Sequence, residues 1–330
     1  MLSDRYGRVA TSLRVSLTDR CNLRCTYCMP AEGLDWLAKP HLLTDDEVVR
    51  VVTVAVGLGV RDVRLTGGEP LLRRGIVGLV ERLSTLTPRP ALSLTSNGIG
   101  LERLAGPLAA AGLDRVNVSL DTLDPARFRA ITHRDRLDDV LSGLASAAAA
   151  GLAPVKVNAV LLRGVNDDEA ASLTRWALGA GYEPRFIEQM PLDAQHAWDR
   201  AQMVTAEEIL GLLRAELDLE PDPAHRGSAP AERWQVYENG RLLGPVGVVG
   251  SVTRPFCGAC DRIRLTADGQ IRNCLFSRGE VDLRGPLRSG CDDAALAALL
   301  RGATQAKLAG HGIDEPGFLQ PPRPMSAIGG

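Results

Sequence analysis

Six of the seven cysteines in this 330-residue chain fall into two tight groups. Cys21, Cys25 and Cys28 have the spacing C-x3-C-x2-C; Cys257, Cys260 and Cys274 have C-x2-C-x13-C, and Cys291 stands apart. In a chain with no export signal, clustered thiols read as metal or cluster ligands rather than as a disulfide framework. Three thiolates can hold a [4Fe–4S] cube, whose usual complement is four, and leave one iron open to a substrate or cofactor. For the first group the alternative is a zinc site completed by a residue such as His41, although C-x3-C-x2-C is less usual for zinc than C-x2-C. The second group is ambiguous on spacing alone, because Cys291 would complete a four-cysteine zinc site.

Arg262 and Arg264 follow Cys260 and alternate with Asp261 and Ile263, so on a strand they share one face. Two guanidiniums beside a cluster make an anion site; a solvated basic strand is the other reading. The chain has no Walker A loop and no GxGxxG, so a nucleotide's phosphates would have to be held by Arg and Lys side chains. Of the 38 basic residues, 35 are Arg and 3 are Lys, which makes each lysine conspicuous. Lys156, between Val155 and Val157, reads as a point charge for phosphate or as a snorkelling edge-strand lysine.

These residues need elements to position them. Strand-like segments at 13–17, 60–65, 91–95, 116–120, 155–162 and 185–190 alternate with helical patterns at 45–58, 76–84, 101–110, 137–150 and 168–179. Thr44 and Glu47 form a capping-box pattern. Six βα units imply an α/β fold with parallel strands and right-handed crossovers. An open doubly wound sheet and a partial TIM-type barrel both fit. The unusual chemistry in the loops after strands 1 and 2 suits the C-terminal rim of a barrel. The Pro-, Ala- and charge-rich stretch 221–232 reads as a linker or surface excursion, separating residues 1–220 from a smaller C-terminal region, 233–330. That region has short strands at 234–237 and 246–249, a hairpin at Asp268-Gly269 and a helix at 292–300. The last ten residues carry no helical or strand signal.

Hydrophobic residues are 45% and charged residues 24% of the chain, as in globular rather than disordered proteins. A net charge of −2 gives no general basic surface for nucleic acid, and 4% aromatics give no base-stacking platform. The apolar run 48–60 is interrupted by Arg50 and too short to cross a membrane. The N-terminal residues are charged where a signal peptide is apolar. A cytoplasmic protein without nucleic-acid or membrane partners is expected.

The first cysteine group, with Tyr27 ahead of its third cysteine, resembles the signature of the radical S-adenosylmethionine (SAM) enzymes. Gly67-Gly68-Glu69-Pro70, after the second strand, resembles that family's GGEP motif. The resemblance implies a partial (β/α)6 barrel and a [4Fe–4S] cluster on Cys21, Cys25 and Cys28. The open iron of that cluster binds SAM, which is cleaved to methionine and a 5′-deoxyadenosyl radical. Residues 255–276 are similar to the C-terminal signature of the GTP 3′,8-cyclase family of molybdenum-cofactor biosynthesis. That resemblance implies a second [4Fe–4S] cluster on Cys257, Cys260 and Cys274, against the guanine of GTP. It assigns Arg14, Arg64, Thr95, Lys156, Arg262 and Arg264 to GTP, and Tyr27, Gly68, Ser119 and Met190 to SAM. The terminal pair Gly329-Gly330 is similar to the family's double glycine, which reaches into the active site. The cysteines of the first triad, Arg262, Arg264 and this pair are the catalytic set it implies.

The implied reaction takes hydrogen from C3′ of the ribose, joins C3′ to C8 of guanine and reduces the base radical. It yields (8S)-3′,8-cyclo-7,8-dihydroguanosine 5′-triphosphate. An electron donor such as flavodoxin or ferredoxin, a functional link to cyclic pyranopterin monophosphate synthase, and a monomer or homodimer are implied with it. Two alternatives stay open: a peptide- or protein-modifying radical SAM enzyme with an auxiliary cluster, and a zinc-binding protein without chemistry. Arg262, Arg264, Lys156 and the terminal glycines weigh against the former.

Overall fold

The computed structural model describes residues 1–329; Gly330 lies outside the described residues. Six strands follow one another as parallel neighbours in chain order: β1 (Ser12–Ser16), β2 (Asp62–Thr66), β3 (Ala91–Ser96), β4 (Arg115–Ser119), β5 (Lys156–Val160) and β6 (Glu183–Ile187). A doubly wound sheet reverses its strand order at a switch point. The unbroken succession here is that of barrel staves. The barrel does not close, because β1 and β6 take other partners.

Those partners come from the rest of the chain: β7 (Asp218–Pro221), β8 (Glu232–Glu238), β9 (Arg241–Val249), β10 (Arg262–Leu265), β11 (Gln270–Arg272) and β12 (Val281–Asp282). β10 adds parallel to β1, and the β11–β12 meander follows it. β9 adds parallel to β6 and carries the antiparallel β8 and β7. The result is a partial (β/α)6 barrel widened at both edges, and residues 233–330 contribute strands to both.

Ten helices are described: α1 (Asp45–Gly57), α2 (Ile76–Ser84), α3 (Leu101–Ala110), α4 (Pro125–Thr132), α5 (Leu137–Ala149), α6 (Ala170–Gly179), α7 (Ala206–Arg214), α8 (Arg284–Arg288), α9 (Asp293–Gln305) and α10 (Met325–Ile328). Thr44 and Glu47 cap α1 reciprocally, satisfying two amides that the helix leaves free. No described helix is long and apolar enough to cross a membrane.

The period-2 alternation of a strand sorts the sheet into two chemistries. Leu13, Val15, Val63, Leu65, Leu92, Leu94, Val116, Val118, Val157, Phe186, Ile263 and Leu265 are fully buried against helices. Each such side chain contributes roughly 1.5–3 kcal/mol. The intervening positions put Arg14, Arg64, Thr95, Asn117, Ser119, Lys156, Asn158, Arg185, Arg262 and Arg264 on the opposite face. The barrel therefore has an apolar exterior under its helices and a polar, cationic interior.

Several expected boundaries shift. The sixth strand runs from Glu183 to Ile187 rather than 185–190, and Glu188 just beyond it still donates its N–H to Val249 O (3.2 Å). Its buried carboxylate accepts the N–H groups of Ala206 (2.7 Å), Val252 (2.7 Å) and Thr253 (3.0 Å). The helix expected from 168 opens as a single 3-10 turn, Asp167–Glu169, and is α-helical only from Ala170. Two helices outside the expectation, α4 and α7, carry N-cap signals: Asp124 for α4, and a Thr205–Glu208 capping box for α7. The tail, expected to lack structure, forms α10. Its turn is held by packing, with Met325 N–H donating to Leu192 O (2.9 Å) and Ile328 fully buried.

Candidate functional site

Cys21, Cys25 and Cys28 lie in the loop that leaves the C-terminal end of β1. The loop is pinned by its own backbone. Cys28 N–H and Met29 N–H donate to Cys25 O (2.9 and 3.0 Å), and Arg24 N–H and Thr26 N–H donate to Thr132 O and Ile131 O at the end of α4. Cys21 Sγ accepts from Leu23 N–H (3.4 Å) and the Asn97 amide (3.7 Å). Burial pushes all three thiols up, Cys28 to about 12. At neutral pH these groups keep their protons unless iron replaces them.

The Gly-Gly loop after β2 fits against this one. Gly68 N–H donates to Thr18 O (2.8 Å) and Glu69 N–H to Arg20 O (2.7 Å). A Cβ on Gly68 would run into the Asp19 and Arg20 carbonyls, so no other residue allows the approach. The fully buried Glu69 then ties in the third loop, accepting from Ser96 O–H (2.8 Å), Asn97 N–H (2.7 Å) and Leu71 N–H (3.0 Å). Burial lifts its carboxyl to about 7. Tyr27 O–H donates to Asp121 (2.8 Å), which also accepts from Val160 N–H (2.9 Å). Burial lifts Asp121 to about 6.

Opposite lies the cationic wall. Strand register places Arg64, Arg14, Arg264 and Arg272 side by side across β2, β1, β10 and β11. The Arg262 guanidinium sits over the Phe256 ring, 4.5 Å from its centroid, and donates to Ser228 O (2.9 Å). Burial pulls Arg14 well down, with Arg264, Arg64 and Arg262 adding repulsion. Burial likewise lowers Arg64 to about 9, Arg264 to about 10 and Arg185 to about 10. Guanidiniums packed this closely in a buried cavity favour an anionic ligand.

A single cavity of about 320 Å³ gathers these groups. It is lined by both cysteine triads, by Arg14, Arg64, Thr95, Arg262 and Arg264, and by Tyr27, Gly68, Ser119 and Met190. The volume suits a ligand site. Gly329 enters from the tail: its carbonyl accepts from the Arg264 guanidinium, and a Cβ there would strike the Ser16 and Thr66 hydroxyls. The expectation on Gly330 falls outside the described residues. Lys156 is the exception. It does not line the cavity but is paired with Glu183 at 3.2 Å, and burial and Arg185 bring it down to about 8. The stretch 221–232 is more than a surface excursion, since Pro230 lines the cavity and Ser228 meets Arg262.

Sequence reasoning missed Arg185, Asn158, Asp121 and Lys307. Arg185 and Asn158 both line the cavity and stand in register with each other, and Asn158 also with Ser119. The strand alternation that singled out Ser119 would have found them. Lys307 is 4% exposed and donates to Cys260 Sγ (3.2 Å). Burial pushes the Cys260 thiol up, but Arg262 and Lys307 outweigh it and bring it down to about 7.

The residues fit the groups the motifs imply. Among the described residues, no three or more His, Cys, Asp or Glu come together tightly enough to share one ion. A four-iron cube instead spreads its thiolates over separate corners, and each triad faces the cavity with three. The Asn158 side-chain oxygen, which lines the cavity and has no partner among the described residues, fits a polar ligand.

Comparison with known proteins agrees with this arrangement. Residues 15–177 match the Radical SAM superfamily, and residues 182–313 match Molybdenum Cofactor Synthesis C. The GTP 3′,8-cyclase of Streptomyces coelicolor is 64% identical over 334 residues, covering 100% of this chain and 96% of that protein. The GTP 3′,8-cyclase of Mycolicibacterium smegmatis is 58% identical, covering 100% of this chain and 92% of that one. Streptococcus suis SuiB bound to S-adenosylmethionine superposes with a TM-score of 0.61 at 15% identity, over 89% of this chain and 72% of that one, a likeness of fold alone. Fold, cavity and full-length similarity agree: the chain belongs to the GTP 3′,8-cyclase family of radical SAM enzymes.

Proposed function

We propose that this enzyme converts GTP to (8S)-3′,8-cyclo-7,8-dihydroguanosine 5′-triphosphate in molybdenum-cofactor biosynthesis. The observation that carries this reading is the single cavity with a cysteine triad on each side and a row of guanidiniums between them. Cys21, Cys25 and Cys28 hold a [4Fe–4S] cluster, and Cys257, Cys260 and Cys274 hold a second. When bound, the first cluster and SAM supply the electron and the 5′-deoxyadenosyl radical that takes hydrogen from C3′ of the ribose.

The chain's own residues do the positioning. Tyr27, Gly68, Ser119 and Met190 shape the SAM side of the cavity, with Tyr27 fixed by Asp121. Arg14, Arg64, Arg262 and Arg264 neutralise the triphosphate through charge-assisted hydrogen bonds. Thr95 and Lys156 extend this set. Lys156 reaches phosphate by exchanging its bond to Glu183 for one to the ligand. The second triad faces the guanine. Gly329 holds Arg264 in place, which would keep the triphosphate, and with it the ribose, positioned for hydrogen abstraction at C3′. A flavodoxin- or ferredoxin-type donor provides electrons in the cytoplasm, and the product passes to cyclic pyranopterin monophosphate synthase.

The test is mass spectrometry of an anaerobic reaction of reconstituted enzyme with SAM, a reductant and GTP. The expected result is 5′-deoxyadenosine together with a cyclised product that requires GTP and does not form from ATP. Deoxyadenosine without that product would leave the radical chemistry and refute the substrate.

A further inference from the structure

Lys307 is one of only three lysines in the chain, and nothing in the reaction described above uses it. It follows the C-terminal end of α9, and its ammonium is buried, 4% exposed, with three acceptors. It donates to Cys260 Sγ (3.2 Å), to Cys260 O (3.1 Å) and to Arg262 O (2.9 Å). No carboxylate pairs with it among the described residues. A buried ammonium without a counter-ion is costly unless a negative group stands beside it. The group beside it is a thiol of the second triad.

We propose that Lys307 is the positioning residue of the second cluster. Its ammonium compensates the charge on the Cys260 ligand and raises the reduction potential of the iron held there. It also fixes the backbone on either side of Asp261, which sets Cys260 toward the cluster and Arg262 toward the ligand. The inference rests on the reading that the second triad binds a cluster. Hydrogen bonds and positive charge at a ligating sulfur stabilise the more negative, reduced form of a cluster. An arginine is too long and too planar for the three acceptors that one compact ammonium meets, but it keeps the charge.

The experiment uses a parent enzyme in which Cys21, Cys25 and Cys28 are replaced by Ala, so that only the second cluster contributes signal. Iron is counted, and the midpoint potential is measured by electron paramagnetic resonance during reductive titration. Lys307→Met is expected to shift the midpoint to more negative potential, with Lys307→Arg falling between it and the parent. In enzyme with both triads intact, Lys307→Met is also expected to weaken GTP binding by roughly 10-fold, since Arg262 loses its support. A Lys307→Met variant that binds the parent's iron at the parent's potential overturns the inference. If Lys307→Met loses its iron outright, Lys307→Gln, which keeps a donor without the charge, decides: iron retained at a potential below the parent's supports the inference, and iron retained at the parent's potential overturns it. Iron absent from the parent itself would overturn the cluster reading, and this inference with it.

Discussion

The Arg264 guanidinium donates to the carbonyl of Gly329, so a residue of β10 holds the penultimate residue of the chain inside the barrel. The contact is buried between Ser16 and Thr66, at the C-terminal ends of β1 and β2. Gly329 has φ 83°, a conformation other residues reach with strain. Gly329→Ala is expected to lift the tail out, because its Cβ has no space. Cyclised product should fall at least 10-fold while iron content is unchanged. Wild-type turnover in that variant would count against the tail's role.

Arg262→Ala and Arg264→Ala should each weaken GTP binding. A hydrogen bond to a charged group contributes about 1.5–3 kcal/mol, or roughly 10- to 100-fold in affinity. Calorimetry on enzyme with both clusters assembled makes the comparison. Unchanged affinity in both variants would remove them from the phosphate site.

Gly68→Ala places a Cβ against two backbone carbonyls, which cannot swing aside as a side chain could. The loops after β1 and β2 must separate, at a cost of about 1–3 kcal/mol. A lower melting temperature and weaker SAM binding are expected together. Normal values of both would show that the loops have room to adjust.

Glu69 gives a pH signature. Its folded carboxyl keeps a proton up to about 7, above the ordinary value of 4.5, because it is buried. A raised acid favours the folded state most at low pH; that contribution is complete below about 4.5 and is lost as pH rises through 7. Wild-type stability relative to Glu69→Gln should therefore fall by about 3 kcal/mol between about pH 4.5 and about pH 7. Urea unfolding of both proteins across that range reads it directly, and a pH-independent difference would contradict the buried, protonated state.

Replacing Cys21, Cys25 and Cys28 by Ala should abolish deoxyadenosine formation and leave about half of the wild-type iron. Iron lost entirely would overturn the reading of the second triad as a cluster site.

Local chemistry was legible where it was written in adjacent residues. The two triads, the Gly-Gly turn, the capping box at Thr44 and the Arg262/Arg264 alternation needed only short windows of sequence; the structure forms the capping box, sets Arg262 and Arg264 on one strand and brings both triads to one cavity. What the sequence left unread depends on partners far along the chain. Lys156 looked available for phosphate, but its distance to Glu183 is set by β5–β6 register. Arg185 acquires its place only through alignment with Asn158 across the same pair. The tail carries no periodic signal because its turn is stabilised by Leu192, over a hundred residues earlier in the chain, rather than by its own side chains. Glu188, just past the end of β6, is likewise defined by amides from Ala206, Val252 and Thr253.

The pairing of β10 with β1 also has a consequence for how the enzyme is made. Ser12 stands opposite Arg262, 250 positions later in the chain. At roughly 5–20 residues per second, β1 leaves the ribosome about 12–50 seconds before its outer neighbour exists. Through that interval the nascent barrel carries an open strand edge of the kind that recruits other chains. The first cysteine triad waits beside it without its opposite wall. The later segment that carries β10 thus seals the edge and completes the cationic wall, and the still later Gly329 meets Arg264 inside the barrel.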